Sequence, residues 1–328
     1  QHFGFVIPDD ERIGTDIFVD LKNTLDARSG AKVLVKITKW PEGDKKPEGV
    51  ITKILGYKGD VGLDINCIMA NHKIPFAFPD EVIKASKKID TVIHEDPKRW
   101  DLRDLQMVTI DGEDAKDLDD AVSGRKLPNG NYELGVHIAD VSHYVTSGQP
   151  IDNEAYKRGT SVYLVDRVVP MLPEVLSNGI CSLNAHEDRY AMTCMMEIDD
   201  SGTVVNYRIR PSIIHVGRRC SYKEVYKALE ENIIPDDLQD FMPMLRDLAE
   251  ISKILNRMRR RRGALDFDFP EYKVLLDLDG TPLRIVKRDR TMAERLIEEC
   301  MLIANETVAT HLKNTHRTSV YRIHESPS

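Results

Sequence analysis

The chain has 328 residues, enough for two domains with real cores, and its 54 Asp and Glu outnumber 46 Lys and Arg, for a net charge of −8. That balance argues against a general nucleic-acid coat, which normally shows a basic surplus. No run of 18 apolar residues and no secretory signal pattern occurs, and the five cysteines (67, 181, 194, 220 and 300) never form a Cys-x-x-Cys pair, so a cytoplasmic protein with reduced thiols, no zinc site and no membrane segment is expected.

Residues 1–58 read as short β-strands. Phe3 to Ile7, Asp16 to Asp20, Lys32 to Thr38 and Gly49 to Leu55 alternate or run apolar between turn residues. Such spacing suggests a small barrel of the oligonucleotide-binding type, expected to lack its first strand. Phe3 and Phe5, two strand residues apart, share a face. With Phe18 they either offer stacking platforms to bases or belong partly to the core. Residues 59–100 read as a connector packed on the next domain, with one short helix over Asp80 to Lys88 capped by Asp80.

The second domain, residues 101–328, opens on strand-like Met107 to Ile110 and then Asp111-Gly-Glu-Asp-Ala-Lys-Asp-Leu-Asp-Asp120. Six of these ten residues are acidic. Carboxylates so crowded raise one another's pKa and resist burial, whereas a hard divalent cation with oxygen ligands removes the conflict. A solvated acidic loop is the plain alternative. A calcium loop is excluded, because Lys116 stands at its glycine position and Val122 at its closing glutamate.

Asn129-Gly130 marks a hairpin whose second strand, Tyr132 to Ala139, puts Leu134 and Val136 on one face and His137 on the other. His137 and His143 read as structural histidines rather than site residues. A second hairpin joins Ala191 to Ile198 with Val204 to Ile214. From about Asp236, Phe241, Met244, Leu245, Leu248, Ile251 and Leu255 recur at helical spacing up to Gly263. The run Arg257 to Arg262 (with Met258 inside it) is either a phosphate-contacting stripe or a solvated last turn suited to the helix dipole. A last helix covers about Thr291 to Leu312, burying Leu296, Cys300, Ile303, Ala304 and Val308.

Thr109-Ile110-Asp111 followed by Asp117, Asp119 and Asp120 resembles the active-site signature of the ribonuclease II / ribonuclease R family, processive 3′→5′ exoribonucleases. Further blocks follow in the family's order: His137 to Tyr144, Arg158 to Tyr163, Pro170 to Pro173, Ser182-Leu183-Asn184 and Leu296 to Met301. The match is nearest to the ribonuclease R branch. The resemblance implies an α+β fold, a cold-shock-type OB β-barrel followed by a mixed α/β catalytic domain that is incomplete at its C-terminal end. A family segment reading Thr-Ser-Pro-Ile-Arg, whose arginine engages phosphates, does not occur in this sequence.

The resemblance further implies that Asp111, Asp117, Asp119 and Asp120 are catalytic and ligate Mg²⁺, with Mn²⁺ as a substitute, in a two-metal hydrolysis of single-stranded RNA from its 3′ end. It implies that Tyr163 and Phe267 stack on the terminal nucleotides and that Glu298 accepts a hydrogen bond from ribose or base. The Phe3–Phe5–Phe18 strands resemble the RNA-facing pair of cold-shock domains. A monomer is expected. Two other readings remain: a non-catalytic RNA-binding piece, and a divalent-ion phosphatase of small phosphoesters, which would not need the barrel.

Overall fold

The computed structural model describes residues 3–41, 45–265, 269–288 and 290–323. They form two compact units, one of Gln1–Phe78, Arg158–Met171 and Tyr272–Lys287, the other of Pro79–Lys157, Leu172–Glu271 and Arg288–Ser328.

In the first unit the predicted strands appear as β1 (Phe3–Val6), β2 (Ile17–Asp20), β3 (Ala31–Lys39) and β4 (Glu48–Tyr57), in the sheet order β1-β2-β4-β3. Ile17, Val19 and Ile51 are buried at its centre, with Val33, Val35 and Ile54 against them. Three breaks in the β3–β4 register interrupt the ladder, and such bulges bend a long hairpin as a barrel wall requires. Helix α1 (Leu63–Asn71) begins after Gly62 with no side-chain cap, so it carries no polar start signal in the sequence. Helix α2 (Asp80–Ser86), in the second unit, is capped by Pro79 rather than by Asp80. Asp80 moves into the first turn, where its charge still suits the helix dipole.

The second unit continues with β5 (Trp100–Leu102), β6 (Val108–Asp111), β7 (Asp120–Lys126), β8 (Tyr132–Ala139) and α3 (Val141–Tyr144). Helix α4 (Pro150–Arg158) ends at the first residue of the next stretch of the first unit, which holds the small hairpin of β9 (Val162–Tyr163) and β10 (Val168–Val169). Then follow β11 (Asp188–Ile198), β12 (Val204–His215), β13 (Arg218–Ser221), α5 (Tyr222–Glu230) and α6 (Met242–Arg261). A two-stranded sheet of β14 (Glu271–Leu276) and β15 (Pro282–Arg288), which but for its two outermost residues belongs to the first unit, precedes α7 (Met292–Asn314) of the second.

Seven of these strands form one sheet, ordered β13-β6-β7-β8-β11-β12-β5. Its end pairs, β13 with β6 and β12 with β5, are parallel, and the inner pairs are antiparallel. One face of the sheet, with Val108, Ile110, Val122, Leu134, Val136 and Met196, packs against Leu245, Leu248 and Ile251 of α6 and Leu296, Cys300 and Ile303 of α7. The helix expected from Asp236 starts as a short 3-10 segment, Asp236–Phe241, before α6 proper. Pro243 lies in the first turn of α6, where a missing N–H costs nothing.

The opposite face is also buried, and it is polar. His137 is fully buried and bonds Ser123 Oγ at 3.1 Å and Thr193 Oγ1 at 2.9 Å, and Thr193 bonds Ser212 Oγ at 2.7 Å. Burial holds the imidazole at about 3, so it stays neutral and structural.

Gly124 on β7 lies beneath α6, where a Cβ would come within 2.7 Å of Leu248 Cδ2. Gly124→Ala is expected to lower stability by about 1–3 kcal/mol through overpacking. The check is the urea midpoint at constant m-value. An unchanged midpoint would mean that α6 does not seat this closely on the sheet.

Candidate active site

The acidic segment runs from the last residue of β6, Asp111, to the first residue of β7, Asp120. Between them Leu118 is buried to 2% exposure. In extended backbone neighbours alternate in direction, so anchoring Leu118 inward turns Asp117 and Asp119 the other way. The main chain around it is clamped. Ser182 Oγ accepts from Leu118 N at 3.1 Å and donates to the Lys116 carbonyl at 3.1 Å. Leu183 N donates to the Leu118 carbonyl, and Ala139 N to that of Asp119. The Ser182-Leu183-Asn184 block therefore has a physical task, which is to hold the acidic segment in register.

The four aspartates are coupled electrostatically. Loss of solvation is the main force on Asp120, and with Asp111 and Asp119 nearby it pushes the carboxyl up to about 6. Asp119 is raised by the protein around its carboxylate, although the residue is exposed overall, and then by Asp117 and Asp111. Asp111 is raised by burial and by Asp117, against the opposing pull of the Gly112 N–H at 2.6 Å and the charges of Arg219 and Arg288. Among the described residues, no hydrogen bond or ion pair neutralises the Asp119 or Asp120 carboxylate.

Hard oxygen donors, crowded and at Asp119 and Asp120 without a described partner, suit a divalent ion of the magnesium type. The side chains are not preset for one: among the described residues, no group of three or more His, Cys, Asp or Glu forms a ready-made ligand set. The donor chemistry fits, and the carboxylates would have to turn toward one another to share an ion.

The remaining predicted residues fall elsewhere. Phe3 and Phe5 are 48% and 49% exposed and Phe18 is half-buried, and their ring centroids lie 5.6–5.9 Å apart. They line the solvent side of β1 and β2, opposite Ile17 and Val19, so these rings form a surface cluster rather than core. Lys46 Nζ sits 4.6 Å from the Phe5 centroid. Tyr163, in the same unit, is 65% exposed on β9. Phe267 lies outside the described residues. Glu298, on the exposed side of α7, is paired with Arg290. Next to it Glu299 is buried, with one oxygen bonded to Arg259 and Asn256 and the other, Oε2, without a hydrogen-bond partner among the described residues. Both glutamates line a pocket of about 210 Å³ with Arg259, Arg260, Arg290 and Arg295.

Two residues beside the carboxylates have no counterpart in the sequence reading. Ser221 pairs with Asp111 in the parallel β13–β6 ladder, and α5 begins at the next residue. This brings Tyr222 to Asp111 and Asp120, whose charges, after burial, raise its phenol. The capping box of Ser221 and Glu224 was a visible signal for the helix start. Arg219, two positions earlier, has no such signal.

A cold shock domain model matches residues 5–79 and an RNB domain model residues 99–328. Ribonuclease R of Thermotoga maritima is 47% identical over 99% of this chain and 46% of its own length. Among solved structures, Mycoplasma genitalium RNase R in complex with ribose methylated single-stranded RNA matches with a TM-score of 0.90 and 30% identity, over 100% of this chain and 53% of that one. Yeast Ssd1, a pseudonuclease, shares the fold at a TM-score of 0.66 and 17% identity, over 95% of this chain and 40% of that one. The chain thus spans less than half the length of the curated Thermotoga maritima relative.

Asp120 also predicts a pH dependence. Its carboxyl is raised from 3.8 to about 6 in the fold, so the ionised form is disfavoured there. The penalty is absent well below the unfolded value of 3.8, grows as pH rises from there to about 6, and by linkage levels off at roughly 3 kcal/mol above that. Without divalent ions, Asp120→Asn should therefore be more stable than the parent at about pH 7.5 and equal to it at about pH 3. Thermal melts across that range test this, and a difference that does not vary with pH would refute the perturbed carboxyl.

Proposed function

Because the chain belongs to the RNB-domain family of ribonuclease II and ribonuclease R, with a cold-shock domain preceding the RNB domain, we propose that it carries the metal site of a Mg²⁺-dependent 3′→5′ exoribonuclease acting on single-stranded RNA. The observation that supports this most is the set of coupled aspartates, with Asp120 raised to about 6 and uncompensated by any described side chain. Asp111, Asp117, Asp119 and Asp120 would hold the ions. When bound, such ions supply an activated water and offset charge at the scissile phosphate and the leaving 3′-oxygen.

The chain's own residues do the rest. Stacking on Tyr163 and Phe267 tolerates any base, at roughly 1–3 kcal/mol each, which suits degradation without sequence preference. Glu298 would accept a hydrogen bond from a ribose hydroxyl, the group by which RNA is told from DNA, and must exchange Arg290 for it. The Phe3–Phe5–Phe18 cluster with Lys46 offers a second stacking surface for single-stranded RNA.

One observation favours the non-catalytic alternative: the carboxylates are not preset as a ligand set. Labelled poly(A) separates the readings. The exoribonuclease reading expects progressive shortening with Mg²⁺ or Mn²⁺, slowed at least about 100-fold by Asp120→Asn with RNA binding kept. Salt-sensitive binding without turnover at any concentration of either ion would instead establish an RNA-binding piece. Phe18→Ala is expected to weaken binding of single-stranded RNA by about 1–3 kcal/mol, measured by fluorescence anisotropy. Unaltered affinity would remove the barrel cluster from the RNA path.

A further inference from the structure

The acidic segment is held at two places, and the first has no part in the chemistry above. Arg219 leaves β13 opposite Thr109. Its Nη2 donates to the main-chain carbonyls of Ala115 at 2.7 Å, Glu113 at 3.2 Å and Gly112 at 3.4 Å. Three carbonyl oxygens turned toward one point repel one another unless a donor stands among them. A guanidinium is planar, always charged and rich in donors, so it fills that point at every working pH. The carboxylates of Glu113 and Asp114 are not what it binds. Among the described residues Arg219 has no ion pair, so its charge is kept beside Asp111.

We infer that Arg219 is a positioning residue for the metal site: it fixes the path of residues 112–115 and with it the separation of Asp111 from Asp117. Ser182 fixes the other half of the segment, residues 116–118. Between the two clamps the main chain is set and only side-chain torsions stay free. Carboxylates that must rotate onto an ion can do so quickly and reproducibly on such a frame. Without Arg219 the three carbonyls lose their common donor, the turn closed by Ala115 N and the Gly112 carbonyl loosens, and the ligands must be ordered at the moment of binding. Arg219 is itself exposed, so its replacement leaves the sheet core intact.

This inference rests on the metal reading, and the test keeps the two apart. Hydrogen exchange of amides 112–118 and Mn²⁺ affinity by electron paramagnetic resonance are measured without RNA on the parent, Arg219→Met, Arg219→Lys and Asp120→Asn. Arg219→Met should speed exchange of the loop amides while leaving those of β7 and β8 as they are. It should weaken Mn²⁺ binding roughly 10–100-fold, the range found for residues that orient metal ligands. Arg219→Lys, which keeps the charge and a donor, should recover part of both. Unchanged loop exchange in Arg219→Met, or a loosened loop with full Mn²⁺ affinity, overturns the positioning role. If Arg219→Met does not fold, Arg219→Lys carries the same comparison, with exchange and affinity both equal to the parent's as the refuting result. Failure of the metal reading shows in the controls: a parent that binds no Mn²⁺, or binds it unchanged with Asp120→Asn, overturns that reading and this inference with it.

Discussion

Mutual repulsion among Asp111, Asp117, Asp119 and Asp120 is the constraint that the second unit is arranged to withstand. A sheet usually ends its strands in turns that solvent can relax. Here β6 ends and β7 begins on an acidic residue, and the intervening segment is tied at Leu118, at the Ser182 hydroxyl and at the Arg219 guanidinium. On this frame Asp120, chiefly through burial and then through the charges of Asp111 and Asp119, is raised to about 6. Under the proposed function a cation would relieve that burial, with the ties holding the main chain in place.

Such a site needs a stiff support, which the sheet supplies by being buried on both faces. The apolar face is pressed by α6 and α7. The opposite face is joined across four strands through Ser123, His137, Thr193 and Ser212. A buried polar chain of this kind is costly if one member is missing and orienting when all are present. His137, neutral and bonded at both nitrogens, links β7, whose first residue is Asp120, to β8 and β11. The histidine thus acts at a distance from the carboxylates, through strand register.

Local pattern carried most of this into the sequence. Alternation marked the barrel strands, Asn129-Gly130 marked the first hairpin, and the crowded acids of Asp111–Asp120 marked the candidate site. What local pattern could not carry was parallel pairing. Tyr222 and Arg219 reach the acidic segment only because β13 lies beside β6, and no turn signal announces a partner so far along the chain. Helix α1 went unread for the opposite reason: its start is glycine rather than a capping side chain, so nothing polar announced it. Tyr163 and Glu298 were singled out by resemblance alone. Their burial and bonding, one exposed on a two-residue strand and the other held by Arg290, are not features that spacing could have supplied.

The arginine run at the end of α6 resolves an ambiguity that bears on how RNA would be gripped. Arg259 is bound to Glu299, Arg262 to Glu306 and Arg261 to the Ser201 carbonyl. Two of these three cations are matched by carboxylates of α7, so the run joins helix to helix before it can serve as a phosphate stripe. With a net charge of −8 and these three arginines engaged, this run offers less free positive charge to attract RNA over long range. Affinity under the proposed function must then come from contacts made at close quarters, in stacking on exposed rings and in metal held between aspartate and phosphate. Both act on features that every nucleotide shares, which is the chemistry a sequence-independent nuclease requires.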